Sequence, residues 1–218
     1  MAARSGVDGI SVVSDDDLAE ALKAAIAGDE AGFAVLWRSL QPAVLRYLRV
    51  VVGGAAEDVA SETWLQAARD LHRFEGGPPA FRGWLFRIAR HRAIDERRRS
   101  ARRPEEPSAS FDDDAARAPA RDAASEVVEA SDTAWALRLI AALPPDQAEA
   151  VMLRVVAGLD VAATAKVLGK RPGTVRVATM RGLRRLAANP QVQARADRAR
   201  WLGDVGGKPV GQAGPERV

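Results

Sequence analysis

The sequence predicts an all-α protein: two small helical domains joined by a flexible acidic linker, with a helix-turn-helix in the second domain. Three observations lead to this prediction. Apolar residues recur at three- and four-residue intervals along most of the 218 residues, whereas alternating strand patterns are almost absent. The tract 104–132 is acidic and poor in apolar residues. A short helix, a turn with glycine and a second helix follow one another within 160–186.

Composition excludes several classes of function. The chain has no cysteine, so it has no disulfide scaffold, thiolate metal site or cysteine nucleophile, and it fits a reducing compartment. Its two histidines, His72 and His91, are too few for a histidine metal site or a conventional catalytic triad. No apolar run reaches the roughly 20 residues of a membrane span, and the N-terminus has no signal-peptide core. We therefore expect a cytoplasmic protein that binds no cofactor. Neither a nucleophile–base set nor a glycine-rich phosphate loop is visible in the sequence, so we do not expect an enzyme.

The small net charge of +3 conceals a strong segregation of charge. Residues 90–103 contain seven arginines and two acidic residues, and residues 166–200 contain ten basic residues and one acidic residue. Between these two basic blocks, residues 104–132 contain nine acidic residues and two arginines. Two basic blocks indicate two contacts with a polyanion, although solvated helix faces would give the same pattern.

Four helices are expected in the first domain, residues 15–103, after a disordered N-terminus, 1–14. Ser14 and Asp17 can cap the first helix, and Asp29 and Glu30 can start the second. Pro42 predicts a kink or a restart inside the second helix. The third helix is expected over about 56–71 and the fourth over 81–99, with a glycine- and proline-rich loop at 74–79.

The second domain is expected over 133–190, since helical spacing returns at Thr133 after the linker, 104–132. Pro144 and Pro145 end its first helix and begin the next. In that next helix the predicted apolar stripe consists of Ala148, Val151, Met152 and Val155. Beyond it, the extension 191–218 is expected to be helical to about Leu202 and disordered from Gly203.

The strongest local pattern is the helix-turn-helix. Asp160 is a good N-cap, Gly169 can end the first helix with a positive φ, and Pro172 can begin the second. Arginine can donate two hydrogen bonds to guanine, and valine or methionine can contact a thymine methyl. A basic helical hairpin that binds nothing is the alternative. The second helix is expected to bury Val175, Thr179, Leu183 and Leu186, and the candidate DNA contacts are Lys170, Arg171, Thr174, Arg176, Val177, Met180, Arg181, Arg184 and Arg185.

Two further tracts carry candidate contacts. Phe81, Trp84 and Phe86 precede an arginine-dense helix; such rings can stack on unpaired bases while arginines follow the backbone, or all three can belong to the core. Asp58 and Glu62 are four residues apart on one helix face. No third ligand stands at a suitable spacing, which argues against a metal site. The pair favours instead a negatively charged face for a basic protein partner.

In this order, these motifs resemble the bacterial sigma factors of the extracytoplasmic-function (ECF) type, a group of the sigma-70 family. The resemblance covers roughly 18–103 and 133–188. Besides the helix 28–49 and the helix-turn-helix, the motifs that carry it are AEDVASETWLQA at 56–67, FRGWLFRIARHRAIDERRR at 81–99 and LPPDQAEAVMLRVVAGL at 143–159.

The resemblance implies a division of labour between the domains. The first would dock on core RNA polymerase through Asp58, Glu62 and Trp64, and the second would read the promoter element 35 base pairs upstream of the start site, the −35 element. Implied partners are core polymerase, promoter DNA and an anti-sigma factor, with the free chain a monomer. The −10 element would be held open by Phe81, Trp84, Phe86, Arg90, His91, Arg92, Arg97 and Arg98.

Two other classes of function remain open on the sequence. A stand-alone helix-turn-helix regulator would bind an operator by itself as a dimer. A helical adaptor that sequesters a protein partner would ignore DNA and would not need the basic tract 81–99.

Overall fold

The computed structural model describes residues 14–102 and 123–205. Helices make up most of these two ranges, which contain no strand, so the predicted fold class is confirmed. Disorder was expected for 1–14 and 203–218; of these, 1–13 and 206–218 lie outside the described residues, as does most of the predicted linker, whereas Ser14 caps α1 and 203–205 belong to a helix. The α-helices are α1 Asp15–Ile26, α2 Glu30–Val52, α3 Ala56–Asp70, α4 Pro78–Arg102, α5 Ala123–Ala141, α6 Pro145–Val151, α7 Val161–Leu168, α8 Pro172–Ala187 and α9 Pro190–Val205.

Side-chain caps start the first two helices where the sequence predicts them. The Ser14 hydroxyl accepts from the Asp17 N–H at 3.1 Å, and the Asp17 carboxylate accepts from the Ser14 N–H at 3.3 Å. The Asp29 carboxylate caps α2 by accepting from the Ala31 N–H at 3.1 Å and the Gly32 N–H at 3.2 Å. At Pro42 α2 neither ends nor restarts, because this proline lies on the exposed face and costs the helix one backbone hydrogen bond.

The helices α1 to α4 form the first bundle. Val44 and Leu48 of α2, Val59 of α3 and Leu85 of α4 are almost fully buried between them. Short 3-10 turns at Gly53–Ala55 and Leu71–Arg73 connect α2 to α3 and end α3. The bundle therefore fixes α3 and α4, the two helices of this domain that carry the candidate contacts.

The second bundle begins earlier than the sequence predicts. Helix α5 starts at Ala123, ten residues before the expected Thr133, so the acidic tract is helical over its last part. Alanine and glutamate are good helix formers. The prediction of a flexible linker relied on the acidic charge of this tract and did not consider its helix propensity. At the other end, α9 covers Pro190–Val205, with the Asn189 side chain accepting from the Gln191 N–H at 2.9 Å.

In the segment that follows α6, the predicted core position of Val155 is wrong. After α6 the chain makes a π-helical turn, Met152–Val156, and Val155 is 60% exposed instead of completing the stripe with Val151 and Met152. A π turn holds more residues than an α turn, so it rotates the residues after it around the helix axis. Val155 consequently points to solvent while Met152 stays in the core.

The two bundles contact each other. α2 packs on α5 and α6, and α4 packs on α7. The apolar core runs without a break from residues such as Leu48 in the first bundle to residues such as Leu153 in the second. None of the helices in the described ranges is both long and apolar enough to cross a bilayer.

Candidate nucleic-acid interface

The turn between α7 and α8 is built as the sequence predicts. The Asp160 carboxylate accepts from the Ala163 N–H at 2.6 Å and caps α7. Gly169 ends α7 with φ +64°, a left-handed conformation that glycine adopts at little cost. Pro172 occupies the first turn of α8. These three residues fix the crossing of the two helices and so the orientation of α8.

The buried face of α8 differs from the predicted one at Leu183. Val175 is fully buried, and Gly182 lies against Val151 of α6, so close that a Cβ at 182 would come within 2.8 Å of the Val151 side chain. Leu183 is 43% exposed, because the helix rests on the row through 175, 178, 182 and 186. The absence of a side chain at Gly182 allows this close contact and turns Leu183 outward.

The outward face of α8 lies opposite that row. At about 100° per residue, Val177 and Met180 lie near its middle, and they are 41% and 43% exposed. Arg184 continues the middle of this face, Arg176 lies towards one edge and Arg181 towards the other. Arginines can donate to guanine edges and apolar side chains can contact thymine methyl groups, so this face suits contacts in a major groove.

Most of the predicted contacts around α8 have no acidic partner. Within the described ranges, Arg171, Arg176, Arg181, Arg184 and Arg185 are exposed and none forms an ion pair. Thr174 is also exposed. The exception is Lys170, whose ammonium lies 2.6 Å from the Asp146 carboxylate and is tied to α6. The helix and the turn before it therefore present a cationic surface, with four arginines on α8 and Arg171 just before it available to an anion.

The side chains of α4 form three strips along the helix. The first strip is buried in the core of the first bundle. Phe81 and Phe86 are 1% and 0% exposed, in edge contact with Phe74 and Tyr47 respectively. Burial leaves neither ring a free face for a base, so the alternative that the sequence left open, a core role, holds for both. Trp84 is half-buried, with its ring 5.3 Å from that of Phe74, and retains partial access to solvent.

The second strip of α4 faces solvent. Arg87, His91 and Arg98, four and seven residues apart, project from the same side of the helix, next to Trp84. Arg87 was not among the sequence-predicted contacts, although its spacing from His91 and Arg98 is a signal that could have identified it. The strip combines one accessible aromatic edge with exposed cationic groups, as a single-strand-binding surface does.

Other predicted contacts on α4 are already paired. The Arg92 Nε donates to the Gln66 side chain at 3.0 Å, and Arg92 and Arg99 lie 3.9 Å and 3.5 Å from the Glu62 carboxylate. The Arg90 Nε lies 3.0 Å from the Glu149 carboxylate of the second bundle. Arg90 belongs to the third strip of α4, which consists of Gly83, Arg90 and Arg97 at seven-residue intervals, and Arg97 is exposed at its end.

The predicted protein contacts of α3 lie on two different faces of the helix. Trp64 is 5% exposed and donates its indole N–H to Gln41 at 2.6 Å, so the structure corrects its placement from the docking face to the core. Its neighbour Leu65 is 57% exposed, on the same side as Asp58 and Glu62. A groove of about 370 Å³ lies beside these acids, lined by Ala55, Asp58, Val59, Ser61, Glu62, Glu96 and Arg99.

These features define a class of protein. A helix-turn-helix with an unpaired cationic face and a second helical bundle with a basic helix make a DNA-binding protein with two separate contact surfaces. Across the ranges that the structure describes, no cluster of three or more histidine, aspartate or glutamate side chains is arranged to hold a metal ion.

Comparison with known proteins gives the family. The family model described as Sigma-70 region 2 matches residues 36–103, and the model described as Sigma-70, region 4 matches residues 133–186. The ECF RNA polymerase sigma factor ShbA of Streptomyces griseus is 34% identical over 172 residues, which cover 75% of this chain and 90% of ShbA. The ECF sigma factor BldN of Streptomyces coelicolor is 35% identical over 170 residues, 77% of this chain and 64% of BldN.

The chain belongs to the ECF sigma factors of the sigma-70 family. A solved structure supports the fold: the sigma factor RpoE of Bartonella quintana, in a complex with the anti-sigma factor NepR, superposes with a TM-score of 0.53 at 23% identity, covering 71% of this chain and 93% of that one. The region 2 match contains α3 and α4, and the region 4 match contains the helix-turn-helix.

Proposed function

We propose that this sigma factor initiates transcription by gripping a promoter at two places while its first bundle is docked on core RNA polymerase. The observation that carries the proposal is the pair of cationic surfaces, one on α4 and one on α8, in two bundles of one chain. The two surfaces differ from each other in chemistry: α4 offers an aromatic edge beside its basic groups, and α8 offers apolar side chains beside its arginines.

The α8 surface suits duplex DNA. A helix of 16 residues fits the major groove, and its first turns carry the side chains that reach base edges. We assign Arg176, Val177 and Met180 to bases of the −35 element. We assign Arg185 and Thr174, which lie nearer the core edge of α8, to phosphates, which position the helix without selecting a sequence.

The α4 surface suits unpaired DNA. We assign Trp84, His91 and Arg98 to the −10 element and add Arg87, which shares their strip. Base stacking on an aromatic ring is worth about 1–3 kcal/mol per base. A surface that holds single strands better than duplex lowers the free energy of strand opening, so the protein acts by differential binding and needs no catalytic group.

The outer face of α3 suits a protein partner. Leu65 is the large apolar side chain at its centre, and Asp58 and Glu62 supply negative charge. We propose that this face docks on core polymerase, with Leu65 taking the role that the sequence gave to Trp64. Because the Glu62 carboxylate also lies near Arg92 and Arg99, docking there would be coupled to the position of α4.

Two further proposals concern partners and compartment. The complex of RpoE with the anti-sigma factor NepR supports an anti-sigma factor as a partner of this chain too. Polymerase and promoter DNA are proposed as its partners in the cytoplasm, where the free chain would be a monomer.

Reconstitution tests the proposal directly. The purified full-length chain is mixed with bacterial core polymerase and assayed by run-off transcription over a library of promoter fragments. We expect transcripts from a subset of fragments that share two sequence elements, and none from core polymerase alone. A chain that binds an operator as a dimer and starts no transcripts with polymerase would be a stand-alone regulator instead.

A further inference from the structure

Helix α9 lies beyond the residues that the region 4 model matches, which end at 186. It begins immediately after the helix assigned to the −35 element, because only Ala188 and Asn189 separate it from α8. A helix that follows so closely on the recognition helix affects how that helix is held. The contacts of α9 therefore bear on how α8 is presented to DNA.

The second half of α8 has little support from the core of its own bundle. Val175 and Gly182 are the buried residues of α8, and Leu186 is half-buried. The other residues of the last turn, 183–185 and 187, are exposed. Since helix ends with few buried apolar contacts open most easily, the last turn is the part of α8 that depends most on contacts from other helices.

Hydrogen bonds close the corner between α8 and α9. The Asn189 N–H donates to the Leu186 carbonyl at 3.1 Å. The Asn189 carbonyl accepts from the N–H groups of Val192 and Gln193, at 3.0 and 3.1 Å. The Gln193 side chain also donates to the Ala187 carbonyl at 3.4 Å. Because these bonds join the last turn of α8 to the first turn of α9, a contact that holds α9 also holds the end of α8.

Arg195 fastens α9 to α5. Its guanidinium forms an ion pair with the Asp132 carboxylate and lies over the Trp135 ring, with Cζ 4.7 Å from the ring centroid. Asp132 and Trp135 are three residues apart, so they are neighbours on one face of α5. Both charged side chains are about half-exposed, 47% and 49%, and an ion pair of that kind stabilises only weakly by itself. The ring supplies a second contact that orients the planar guanidinium.

Helix α5 connects this fastening to the core. Leu137 and Ile140 of α5 pack against the buried residues, and α5 contacts both α6 and α8. The helices α5, α8 and α9 thus form a closed triangle. Since each helix of a closed triangle is fixed through the other two, the contact at Arg195 also fixes the direction of the last turns of α8.

We propose that Arg195 is a positioning residue for promoter reading: by fastening α9 to α5 it fixes the angle at which α8 enters the major groove of the −35 element. The inference rests on the proposed function for its consequence in DNA binding, whereas the fastening is a property of the free chain. Arg195 itself does not contact DNA, because Asp132 and Trp135 occupy its guanidinium. The base-reading side chains remain those of the first turns of α8, and their orientation depends on Arg195.

Hydrogen exchange on the purified full-length chain tests the fastening. Mass spectrometry follows the backbone amides of 183–189 in the unmodified chain and in the variants Arg195→Ala, Asp132→Ala and Arg200→Ala. We expect exchange to be about three- to tenfold faster in Arg195→Ala, which loses an ion pair and a cation–π contact, and to be accelerated less in Asp132→Ala. Arg200→Ala is the matched control, because its ion pair with Asp197, at 3.3 Å, lies within α9. It should leave the exchange unchanged.

Binding to promoter DNA tests the consequence. The holoenzyme of each variant is titrated with a promoter that carries the matched −35 element and with one whose element is scrambled, and the ratio of the two affinities measures base reading. We expect Arg195→Ala to lower this ratio about three- to tenfold and Asp132→Ala to lower it less, because displaced base contacts are lost only on the matched DNA. Arg200→Ala should leave the ratio unchanged. A purely structural role, which lowers the stability of the fold alone, would not change the ratio.

Asp132→Ala separates positioning from direct contact by the sign of its effect. If Arg195 bound a phosphate, the loss of Asp132 would free its guanidinium and strengthen binding to both DNAs, and Arg195→Ala would weaken binding to both equally. That result overturns the proposal, as does an unchanged affinity ratio or an unchanged exchange at 183–189 in both variants. If the two variants speed exchange but the unmodified chain binds no polymerase and starts no transcripts, the fastening stands and the proposed sigma function fails.

Discussion

At the scale of single residues, the α8 surface distinguishes side chains that read bases from those that bind phosphates. Arg176 is exposed in the second turn of α8, on the outward side beside Met180, whereas Arg185 lies in the last turn on the opposite edge. Both are exposed arginines of one helix. Position alone therefore separates their expected roles, and it makes them a matched pair for mutation.

We expect Arg176→Ala to weaken binding of the holoenzyme to its matched −35 element by about 1–3 kcal/mol, with little loss on a scrambled element. Arg185→Ala should weaken binding to both DNAs about equally and reduce the salt dependence of log K by about one unit. Fluorescence anisotropy at several salt concentrations measures both effects. Equal losses on both DNAs for Arg176→Ala would show that it too contacts only phosphate.

The sequence predicted correctly the residues that start helices, because this role depends only on the residue itself and its immediate neighbours in the chain. Ser14, Asp29, Asp160 and Pro172 mark helix starts through their own side chains, and all four do so in the structure. Which aromatic ring of 81–86 stays accessible was not predictable, because it depends on Phe74 and Tyr47, which reach α4 from other parts of the chain.

At the scale of elements, α3 has a structural face and a docking face on adjacent residues. The Trp64 ring lies at an edge-on angle to Phe33, with centroids 5.7 Å apart, and donates to Gln41. The Leu65 side chain has no such role and is 57% exposed. One residue of sequence therefore separates a side chain that holds the bundle together from one that is available to a partner.

For this helix we expect Leu65→Ala to leave the free energy of unfolding unchanged and to weaken binding to core polymerase about tenfold, because an apolar contact is lost only in the complex. Trp64→Phe should lower the free energy of unfolding by about 1–3 kcal/mol, because the Gln41 side chain loses its donor and a small cavity remains. Urea denaturation and a polymerase titration measure the two quantities. The reverse pattern would return the docking role to Trp64.

The spacing of apolar residues predicted the helices, but it did not predict the buried face of every helix. In α8 the apolar residues fit a core row through Leu183 as well as one through Gly182, and only the close contact of Gly182 with Val151 decides between them. The π turn after α6 likewise moves Val155 outward. Both depend on packing between elements, which a periodicity within one element does not record.

At the scale of the whole molecule, the chain carries two cationic helix surfaces of different chemistry, in two bundles that pack against each other. The sequence indicated the two surfaces through its two basic blocks. It carried no sign of the contact of α4 with α6 and α7, because Arg90 and Gly83 meet residues about 60 and 80 positions away, a separation at which no local pattern is informative. We propose that both surfaces contact one promoter at the same time.

Footprinting of one holoenzyme–promoter complex with both a nuclease and permanganate tests that claim most directly. The nuclease maps protected DNA, and permanganate modifies thymines that have lost their stacking. We predict two separate regions of contact: an upstream one that is protected and unreactive to permanganate, and a downstream one near the start site whose thymines become reactive. A single protected site without reactive thymines would contradict the account.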